Sequence, residues 1–312
     1  MNYRVVFFGT PQFAATVLDF IASKSYEIVA VVTNPDKPVK RSQKPVPSPV
    51  KLKAQELNIP VYQPEKASSE EFVAFLKTLK ADLFLVVAYS EIFKENFLEV
   101  PLKGCINVHA SILPKYRGAA PIQKAIWEGE SESGVSIMKI AKKMDAGGVY
   151  KIAKTPIHEN MTSGELSKEL ARIGAVALHE VLEEFKRGEE RLLPQDESQA
   201  TFAHKLHSKD GFIDFQKSAI ATHNQIRGCT PKPGAWCLVE IKGVKKRLLI
   251  KSAQKVDKVK GAPGEVLESD ESSLLVACSE GAIQLLRVQP ESKKEMAISD
   301  FLRGVGKSNL KF

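Results

Sequence analysis

The chain has 312 residues, of which 43% are hydrophobic and 26% are charged. This composition is typical of globular proteins and excludes a chain that is disordered throughout. At roughly 100–200 residues per domain, the length predicts two domains. The formal net charge of +8 favours polyanionic partners, such as nucleic acid, nucleotides or anionic membranes, without choosing among them.

The four cysteines are scattered, and no pair has the CxxC spacing that is typical of zinc sites. Scattered thiols of this kind are typical of buried, reduced cysteines in a reducing compartment. The N-terminus lacks the order of charged, apolar and small residues that marks a signal peptide. No stretch reaches the roughly 18 apolar residues that predict a membrane span. We therefore expect a cytoplasmic protein that binds neither a membrane nor a metal.

Short apolar runs alternate with helical patterns through the first part of the chain. The predicted strands are residues 3–8, 27–33, 59–62, 83–88, 105–109, 135–140 and 149–157, and the predicted helices are residues 12–23, 50–57, 68–80 and 163–187. This alternation predicts βαβ units and a mostly parallel α/β sheet. Ligands of such sheets bind beyond the carboxyl ends of the strands.

The pattern changes after the long helix that ends at residue 187. Residues 189–209 are polar and weakly periodic, which is typical of a linker, and a helix is predicted at 218–227. Short strands are then predicted at residues 236–241, 248–253, 274–277 and 283–288, and they favour a small β-barrel of about 100 residues. We therefore place one domain in residues 1–188, a linker in 189–209 and a second domain in 210–312.

Basic residues are concentrated in one part of the second domain. Residues 242–260 contain eight Lys or Arg side chains and one acidic side chain, Asp257. Such a run is either a surface that follows phosphate groups or a solvated turn and strand edge, and composition alone leaves both open. Lys245, Lys246 and Arg247 are the candidate polyanion contacts within it.

Asn107 and His109 lie at the end of a predicted buried strand. Because side chains alternate along a strand, the two residues point to the same face. An amide and an imidazole placed together can donate hydrogen bonds and move a proton. Asn and His also end strands for purely structural reasons, so this pair by itself leaves a structural role open.

The loop that follows His109 favours a ligand site. Residues 111–114 offer an apolar wall, and Lys115 and Arg117 add two cations. Gly118 permits close approach of the backbone, so the loop suits a ligand with an aromatic body and an anionic tail. Asp145 lies in a second, Gly-rich turn, although aspartate before glycine is also common in ordinary turns.

The segment 8–14 begins a helix after the first predicted strand, but it lacks the dinucleotide-binding fingerprint. Counting from Gly9, Pro11 stands where the GxGxxG pattern requires its second glycine. We therefore exclude an NAD site at this position.

Taken together, these segments closely resemble the methionyl-tRNA formyltransferase family. The strings that carry the resemblance are FFGTPQFA (7–14), PSPVK (47–51), VVAYS (86–90), INVHASILPKYRGAAPIQ (106–123), MDAGGVY (144–150) and PKPGAW (231–236). They follow the family's order and cover nearly the whole chain. The Asn-x-His string with its LP-x-x-RG-x-x-P continuation is specific for users of 10-formyltetrahydrofolate. The chain departs from the common pattern at two positions. Ser90 stands where Gly is common, and Gly148 stands where an acidic residue is usual.

The resemblance implies transfer of a formyl group from 10-formyltetrahydrofolate to the α-amine of methionine on initiator Met-tRNA. It also implies a Rossmann-like N-terminal domain, an OB-like C-terminal barrel that binds tRNA, and a monomer. By motif position, the resemblance implies catalytic roles for Asn107, His109 and Asp145, a folate site lined by Tyr89, Ser111, Ile112, Leu113 and Pro114, and a tRNA-acceptor loop at residues 34–49 with Lys37, Lys40, Arg41 and Lys44.

Three alternatives remain open from the sequence. A relative that formylates a small amine, such as glycinamide ribonucleotide or an amino-sugar nucleotide, would keep the same three candidate catalytic residues. A hydrolase that releases formate from the folate would also keep them. A non-catalytic RNA-binding protein would give no reason for the aligned Asn, His and Asp.

Overall fold

The computed structural model describes residues 3–38, 45–267, 273–306 and 310–312. The chain forms two compact units: unit 1 comprises Met1–Gly118, Ser133–Thr155 and Ser167–Ala203, and unit 2 comprises Ala119–Glu132, Pro156–Leu166 and His204–Phe312. Residues 189–203 of the predicted linker thus belong to unit 1, while the proposed domain boundaries stay a prediction. Within the described ranges, no helix is both long enough and apolar enough to cross a bilayer.

The helices and strands are numbered along the chain. The strands are β1 (Arg4–Gly9), β2 (Glu27–Val32), β3 (Lys37–Pro38), β4 (Pro45–Val46), β5 (Val61–Tyr62), β6 (Leu83–Val87), β7 (Cys105–His109), β8 (Arg117–Gly118), β9 (Glu132–Lys139), β10 (Val149–Pro156), β11 (Phe202–Ala203), β12 (Ala235–Ile241), β13 (Val244–Val256), β14 (Leu274–Ala277), β15 (Ala282–Pro290), β16 (Met296–Ala297) and β17 (Leu310–Lys311). The helices are α1 (Gln12–Ala22), α2 (Pro49–Glu56), α3 (Glu70–Thr78), α4 (Glu95–Leu98), α5 (Pro121–Trp127), α6 (Ser163–Arg187), α7 (Ala219–Gly228) and α8 (Ile298–Val305).

Unit 1 is built on a seven-stranded sheet in the order β10-β9-β7-β6-β1-β2-β5. Strands β5, β2, β1, β6 and β7 are parallel, whereas β9 runs antiparallel to β7. Every residue of β6 is buried, as expected for a parallel strand that is covered on both faces. This confirms the predicted mostly parallel α/β sheet, and β9 adds a reversed strand that the sequence pattern did not reveal.

The strand order places the carboxyl ends of β1, β6 and β7 side by side. Gly9 at the end of β1 is in register with Val87, and Val86 is in register with Asn107. The chain leaves β1 for β2 on one side and returns to β6 on the other, which is the switch point where open α/β sheets bind ligands. His109 therefore lies at the edge where a ligand is expected.

Aromatic side chains form the core beneath this edge. The Phe97 ring stacks on Phe93 at a centroid separation of 4.0 Å and meets Phe8 and Phe84 at 5.2 and 5.3 Å. Offset and edge-on arrangements of this kind contribute roughly 0.5–1.5 kcal/mol per pair beyond the burial of apolar area. Phe97 itself has no exposed surface, although it lies on the short helix α4.

Unit 2 contains an antiparallel sheet in the order β14-β15-β13-β12-β17, with β16 paired to β15. The register between β13 and β15 shifts between Ile250 and Ala253, and such irregularities bend a strand and increase its twist. The sheet is consequently curled, and its inner face packs with Ile226 of α7 and Phe301 of α8. The four predicted strands of this region are confirmed as β12 to β15, and the predicted helix as α7.

Replacing Phe97 by Ala is expected to destabilise unit 1. The change removes a fully buried ring with three aromatic neighbours, so the free energy of unfolding should fall by about 3–5 kcal/mol. Urea unfolding followed by circular dichroism measures this loss. Leu102→Ala is the control, because Leu102 is 83% exposed and its change should cost less than about 0.5 kcal/mol. Equal effects of the two changes would contradict the prediction.

Candidate functional site

His109 is held at the end of β7 by one backbone hydrogen bond. Its side chain is 6% exposed, and the ring Nε2 lies 3.1 Å from the carbonyl oxygen of Tyr116. A carbonyl oxygen only accepts hydrogen bonds, so Nε2 carries a proton and donates it. In the neutral form of the ring, Nδ1 is then the nitrogen without a proton. Asn107, two residues earlier, is half-buried and lies on the same face of β7.

Asp145 faces the other side of the His109 ring. Its Oδ2 accepts a 2.8 Å hydrogen bond from the backbone N–H of Gly118 and lies 3.6 Å from Nδ1 of His109. Gly118 has φ of +116°, and a Cβ at this position would lie 2.8 Å from the carbonyl oxygen of Ala203. Glycine is thus the residue that allows this backbone N–H to reach the carboxylate.

The gap between Asp145 and His109 has a specific electrostatic character. At 3.6 Å the two atoms are too far apart for a direct hydrogen bond. When the ring is neutral and Nε2 carries its proton, the facing Nδ1 has a lone pair and can only accept a hydrogen bond, as can an ionised carboxylate. A proton that arrives between them is attracted by both groups, so the site is arranged to receive one.

The loop 111–114, the predicted folate wall, is fixed by a side chain of the neighbouring strand. Ser136 Oγ donates to the carbonyl oxygen of Ser111 at 2.7 Å and accepts from the N–H of Leu113 at 3.0 Å. Ser136 lies opposite His109 in the β7–β9 pair. Ser111 Oγ in turn donates to the Lys115 carbonyl oxygen at 2.6 Å. These bonds fix the backbone of the loop, and no pattern in the sequence indicated Ser136.

The apolar members of this loop differ in exposure. Leu113 is 5% exposed and packs in a cluster with Met138 and Val149. Ile112 and Pro114 are half-buried, so they leave apolar surface accessible beside the buried Leu113. The loop therefore has an accessible apolar face formed by Ile112 and Pro114, and the buried Leu113 anchors it to the protein.

Tyr89, also expected in the folate site, lies in the aromatic core of unit 1. Its ring stacks against Phe93 and meets Phe8 edge-on at 5.8 Å. Burial raises the pKa of its hydroxyl well above the ordinary value, and the Glu91 carboxylate raises it further. Tyr89 therefore remains a neutral phenol at physiological pH.

The structure shows that one expectation from the sequence, a ligand-binding role for Arg117, is wrong. We expected it to be a cation available to an anionic ligand tail, but its side chain is fully buried. Its guanidinium donates to Gln195 and to Glu197, with Nη2–Oε1 distances of 2.7 and 2.6 Å. Hydrogen bonds from Arg117, followed by those from Lys143, lower the pKa of the Glu197 carboxyl to about 2. The guanidinium of Arg117 thus makes its hydrogen bonds within the protein rather than to a ligand.

The predicted acceptor loop 34–49 contains a short hairpin, in which Lys37 and Pro38 of β3 pair with β4. Lys37 is exposed. At the base of the hairpin, the Asp36 carboxylate accepts from Lys51 Nζ at 2.6 Å, and this contact lowers the pKa of Asp36. The other predicted basic residues of this loop, Lys40, Arg41 and Lys44, lie outside the described residues.

The second set of predicted basic residues begins β13 in unit 2. Lys245 and Lys246 are exposed, whereas Arg247 is half-buried. The guanidinium carbon of Arg247 lies 4.3 Å from the centroid of the Trp236 ring, a cation–π arrangement. Lys245 and Lys246 therefore carry their charge at the surface, whereas Arg247 is stacked on Trp236.

Family comparisons cover both units of the chain. The model of the formyl transferase family matches residues 3–182, and the model of the formyl transferase C-terminal domain matches residues 205–306. The first match alone spans more than half of the chain.

Comparison with individual proteins is more specific. The methionyl-tRNA formyltransferase of Protochlamydia amoebophila is 48% identical over 309 residues, which cover 99% of this chain and 97% of that protein. HypX from Aquifex aeolicus in complex with tetrahydrofolic acid has a TM-score of 0.68 at 17% identity, over 98% of this chain and 48% of that one. WlaRD, a sugar 3N-formyl transferase solved with dTDP and 5-N-formyl-THF, has a TM-score of 0.67 at 21% identity, over 94% and 100%. These two structures establish a shared fold, and the full-length identity establishes that the chain belongs to the methionyl-tRNA formyltransferase family.

Proposed function

We propose that the protein transfers a formyl group from 10-formyltetrahydrofolate to the α-amine of methionine on initiator Met-tRNA, using Asn107, His109 and Asp145. The product is N-formylmethionyl-tRNA for translation initiation. The observation that carries this proposal is the 3.6 Å approach of Asp145 to His109, at the ligand-binding edge of the sheet and in a chain 48% identical to a methionyl-tRNA formyltransferase.

The loop 111–114 fits the folate substrate. A folate has a flat aromatic body, and Ile112 and Pro114 offer apolar surface backed by the buried Leu113. Ser136 fixes the backbone of this loop through two hydrogen bonds, so little ordering entropy remains to be lost on binding. We place Ser111 and Tyr89 in the same site on the basis of the family resemblance.

In the proposed reaction, a new C–N bond forms between the methionine amine and the formyl carbon. Negative charge develops on the formyl oxygen, and we assign the Asn107 amide as the group that donates a hydrogen bond to it. Losing one such donor typically costs roughly 10²–10³ in rate. Because the formyl group is already activated on the folate, the protein mainly orients the reactants and stabilises charge.

The proton released by the attacking amine goes to Asp145, directly or through water. The proton passes across the gap to His109. His109 then donates a proton to the folate nitrogen, as the bond between that nitrogen and the formyl carbon breaks. Proton and charge therefore balance without an additional reactant. Positioned acid–base groups of this kind contribute roughly 10²–10⁴ in rate.

The tRNA substrate accounts for the excess of positive charge. We propose that the loop 34–49, with Lys37, Lys40, Arg41 and Lys44, meets the acceptor end of the tRNA. Lys245, Lys246 and Arg247 would follow its phosphates on the curled sheet, which we take to be OB-like. We also propose that residues 1–188 are the catalytic domain, residues 210–312 the tRNA-binding domain, and the protein a cytoplasmic monomer.

One experiment tests the whole proposal. The pure protein is incubated with labelled 10-formyltetrahydrofolate and Met-charged initiator tRNA, with a Met-charged elongator tRNA in parallel. Label should appear on the initiator tRNA. Transfer to an amino-sugar nucleotide but not to tRNA, or release of formate without an acceptor, would instead support the small-amine enzyme or the hydrolase. Binding of tRNA without any transfer would support a non-catalytic protein.

Asp145→Asn is expected to lower kcat/KM by about 100-fold or more. The amide can still accept from the Gly118 N–H, but it removes the negative charge beside His109, so the fold should be retained. Formylation rates and thermal melting measure the two effects. Asp214→Asn is the matched control, because the exposed Asp214 carboxylate accepts from the Gln216 N–H within its own turn in unit 2. Unchanged turnover in folded Asp145→Asn protein would refute the role.

His109→Ala is expected to slow the chemical step more than it weakens tRNA binding. The imidazole acts at the reacting atoms and the proposed tRNA contacts lie elsewhere, so the single-turnover rate should fall by roughly 10²–10⁴. Rapid-quench kinetics and a tRNA titration separate the two quantities. His158, whose side chain is exposed, provides the control in His158→Ala. A wild-type single-turnover rate in His109→Ala would contradict the prediction.

Arg41→Ala is expected to weaken tRNA use and to spare folate binding. If wild-type protein neutralises about five phosphates, log K against log salt should have a slope near −4.5, and losing one contact should change it by about 0.9. The slope is measured by filter binding over a salt series, with exposed Lys66→Ala as control. A flat wild-type response, or equal loss of tRNA and folate binding in Arg41→Ala, would count against the assignment.

A further inference from the structure

Gln195 connects the two segments that meet at the candidate active site. Its Nε2 donates to the carbonyl oxygens of Asp145 and Gly147, at 2.8 and 2.7 Å. Its Oε1 accepts from Nε and Nη2 of Arg117, at 3.1 and 2.7 Å. Arg117 is the residue between Tyr116 and Gly118, whose backbone atoms bond to His109 and Asp145. One amide thus reaches both sides of the Asp145–His109 pair.

The hydrogen-bonding chemistry fixes the orientation of this amide. A guanidinium only donates and a carbonyl oxygen only accepts, so the oxygen of Gln195 must face Arg117 and its nitrogen must face the turn. Glutamate has the same shape but offers no donor to the two carbonyls. The position therefore requires an amide and not merely a polar side chain.

The turn that Gln195 holds is conformationally demanding. Asp145 has φ of +49°, in the left-handed region that is costly for a residue with a side chain. A Cβ on Gly147 would collide with the carbonyl oxygen of Lys139. Such a conformation persists only when the surroundings impose it, and the two hydrogen bonds from Gln195 act on the carbonyls of Asp145 and Gly147.

The segment that carries Gln195 is itself anchored on both sides. Leu193 exchanges two backbone hydrogen bonds with Val149, at 2.8 and 2.9 Å. Further along, Thr201 Oγ1 accepts from the Tyr116 N–H at 2.9 Å, and the Arg117 N–H donates to the Thr201 carbonyl oxygen at 2.8 Å. Residues 193–201, predicted to be a linker, therefore brace both the 145–149 turn and the 116–118 segment.

We propose that Gln195 is a positioning residue, which holds the Asp145 carboxylate at its working distance from His109 by bonding the turn on one side and Arg117 on the other. The inference rests on the proposed catalytic role of Asp145. The side-chain hydrogen bonds of Gln195 go to Arg117 and to the turn of Asp145, so we expect its effect on the reaction to pass through Asp145.

Gln195→Met, which keeps the length of the side chain and removes its polar atoms, should lower kcat by about 10- to 100-fold. The KM values for tRNA and folate should change less than about 3-fold, because no substrate contact is lost. Gln195→Glu should show a similar loss, since it keeps the acceptor for Arg117 and removes the donors to the turn. Gln289→Met is the matched control, because the half-buried Gln289 also donates through its amide to a backbone carbonyl oxygen, that of Lys293, but lies in unit 2.

A double-mutant cycle tests whether the effect passes through Asp145. In the Asp145→Asn background, Gln195→Met should lower kcat by less than about 3-fold, because the group that it positions no longer functions. A full, additive loss in that background would overturn the proposal and would indicate a general structural role. Unchanged kcat in Gln195→Met alone would overturn it as well.

A spectroscopic measurement separates this inference from the proposed function. In protein labelled with ¹³C at the histidine ring, the His109 resonance, identified by its absence in His109→Ala, should move in Gln195→Met and stay in place in Gln289→Met. An unmoved resonance in folded Gln195→Met would overturn the positioning role. If the wild-type protein fails to formylate Met-tRNA while the resonance moves as expected, the proposed function fails and the positioning of Asp145 stands.

Discussion

The approach of the Asp145 carboxylate to the His109 imidazole is the interaction on which the candidate site depends. At 3.6 Å the two side chains make no direct hydrogen bond, so other groups must hold them in place. Those groups are backbone atoms of residues 116–118 on one side and the left-handed turn of Asp145 on the other. In the proposed reaction, the gap between the two side chains receives the proton that the amine releases.

The sheet supplies the rigid reference for this arrangement. His109 ends a buried strand whose neighbours are fixed by ladder hydrogen bonds, and β9 places Ser136 beneath the loop 111–114. Apolar core under the strand ends, centred on Phe97, limits movement at that edge. The candidate substrate wall and the candidate acid–base pair are therefore anchored to one sheet, which suits a reaction in which positioning supplies much of the rate.

Recognition of a polyanion has different physical requirements. Charge at a flexible or exposed position still attracts phosphate groups, so Lys37, Lys245 and Lys246 need no buried scaffold. Arg117 shows the opposite case, because burial forces its guanidinium to be satisfied inside the protein. Lys115 and Arg117 are only two residues apart in the sequence, yet Lys115 is exposed and Arg117 is buried. This difference in burial separates a surface cation from one that bonds inside the protein.

Local patterns in the sequence predicted the alternation of strands and helices in unit 1, the four central strands of unit 2, and the placement of Asn107 and His109 on one face. These features follow from local periodicity, since side chains repeat every two residues along a strand and every 3.6 along a helix. The resemblance to a known family added Asp145. The folded structure was needed to show that β9 is reversed, that Ser136 supports the loop 111–114, and that Gln195 joins Arg117 to the Asp145 turn. Gln195 and Arg117 are 78 residues apart. Nothing in the local sequence around a polar residue of a weakly periodic segment indicates which distant residue it will contact in the folded protein.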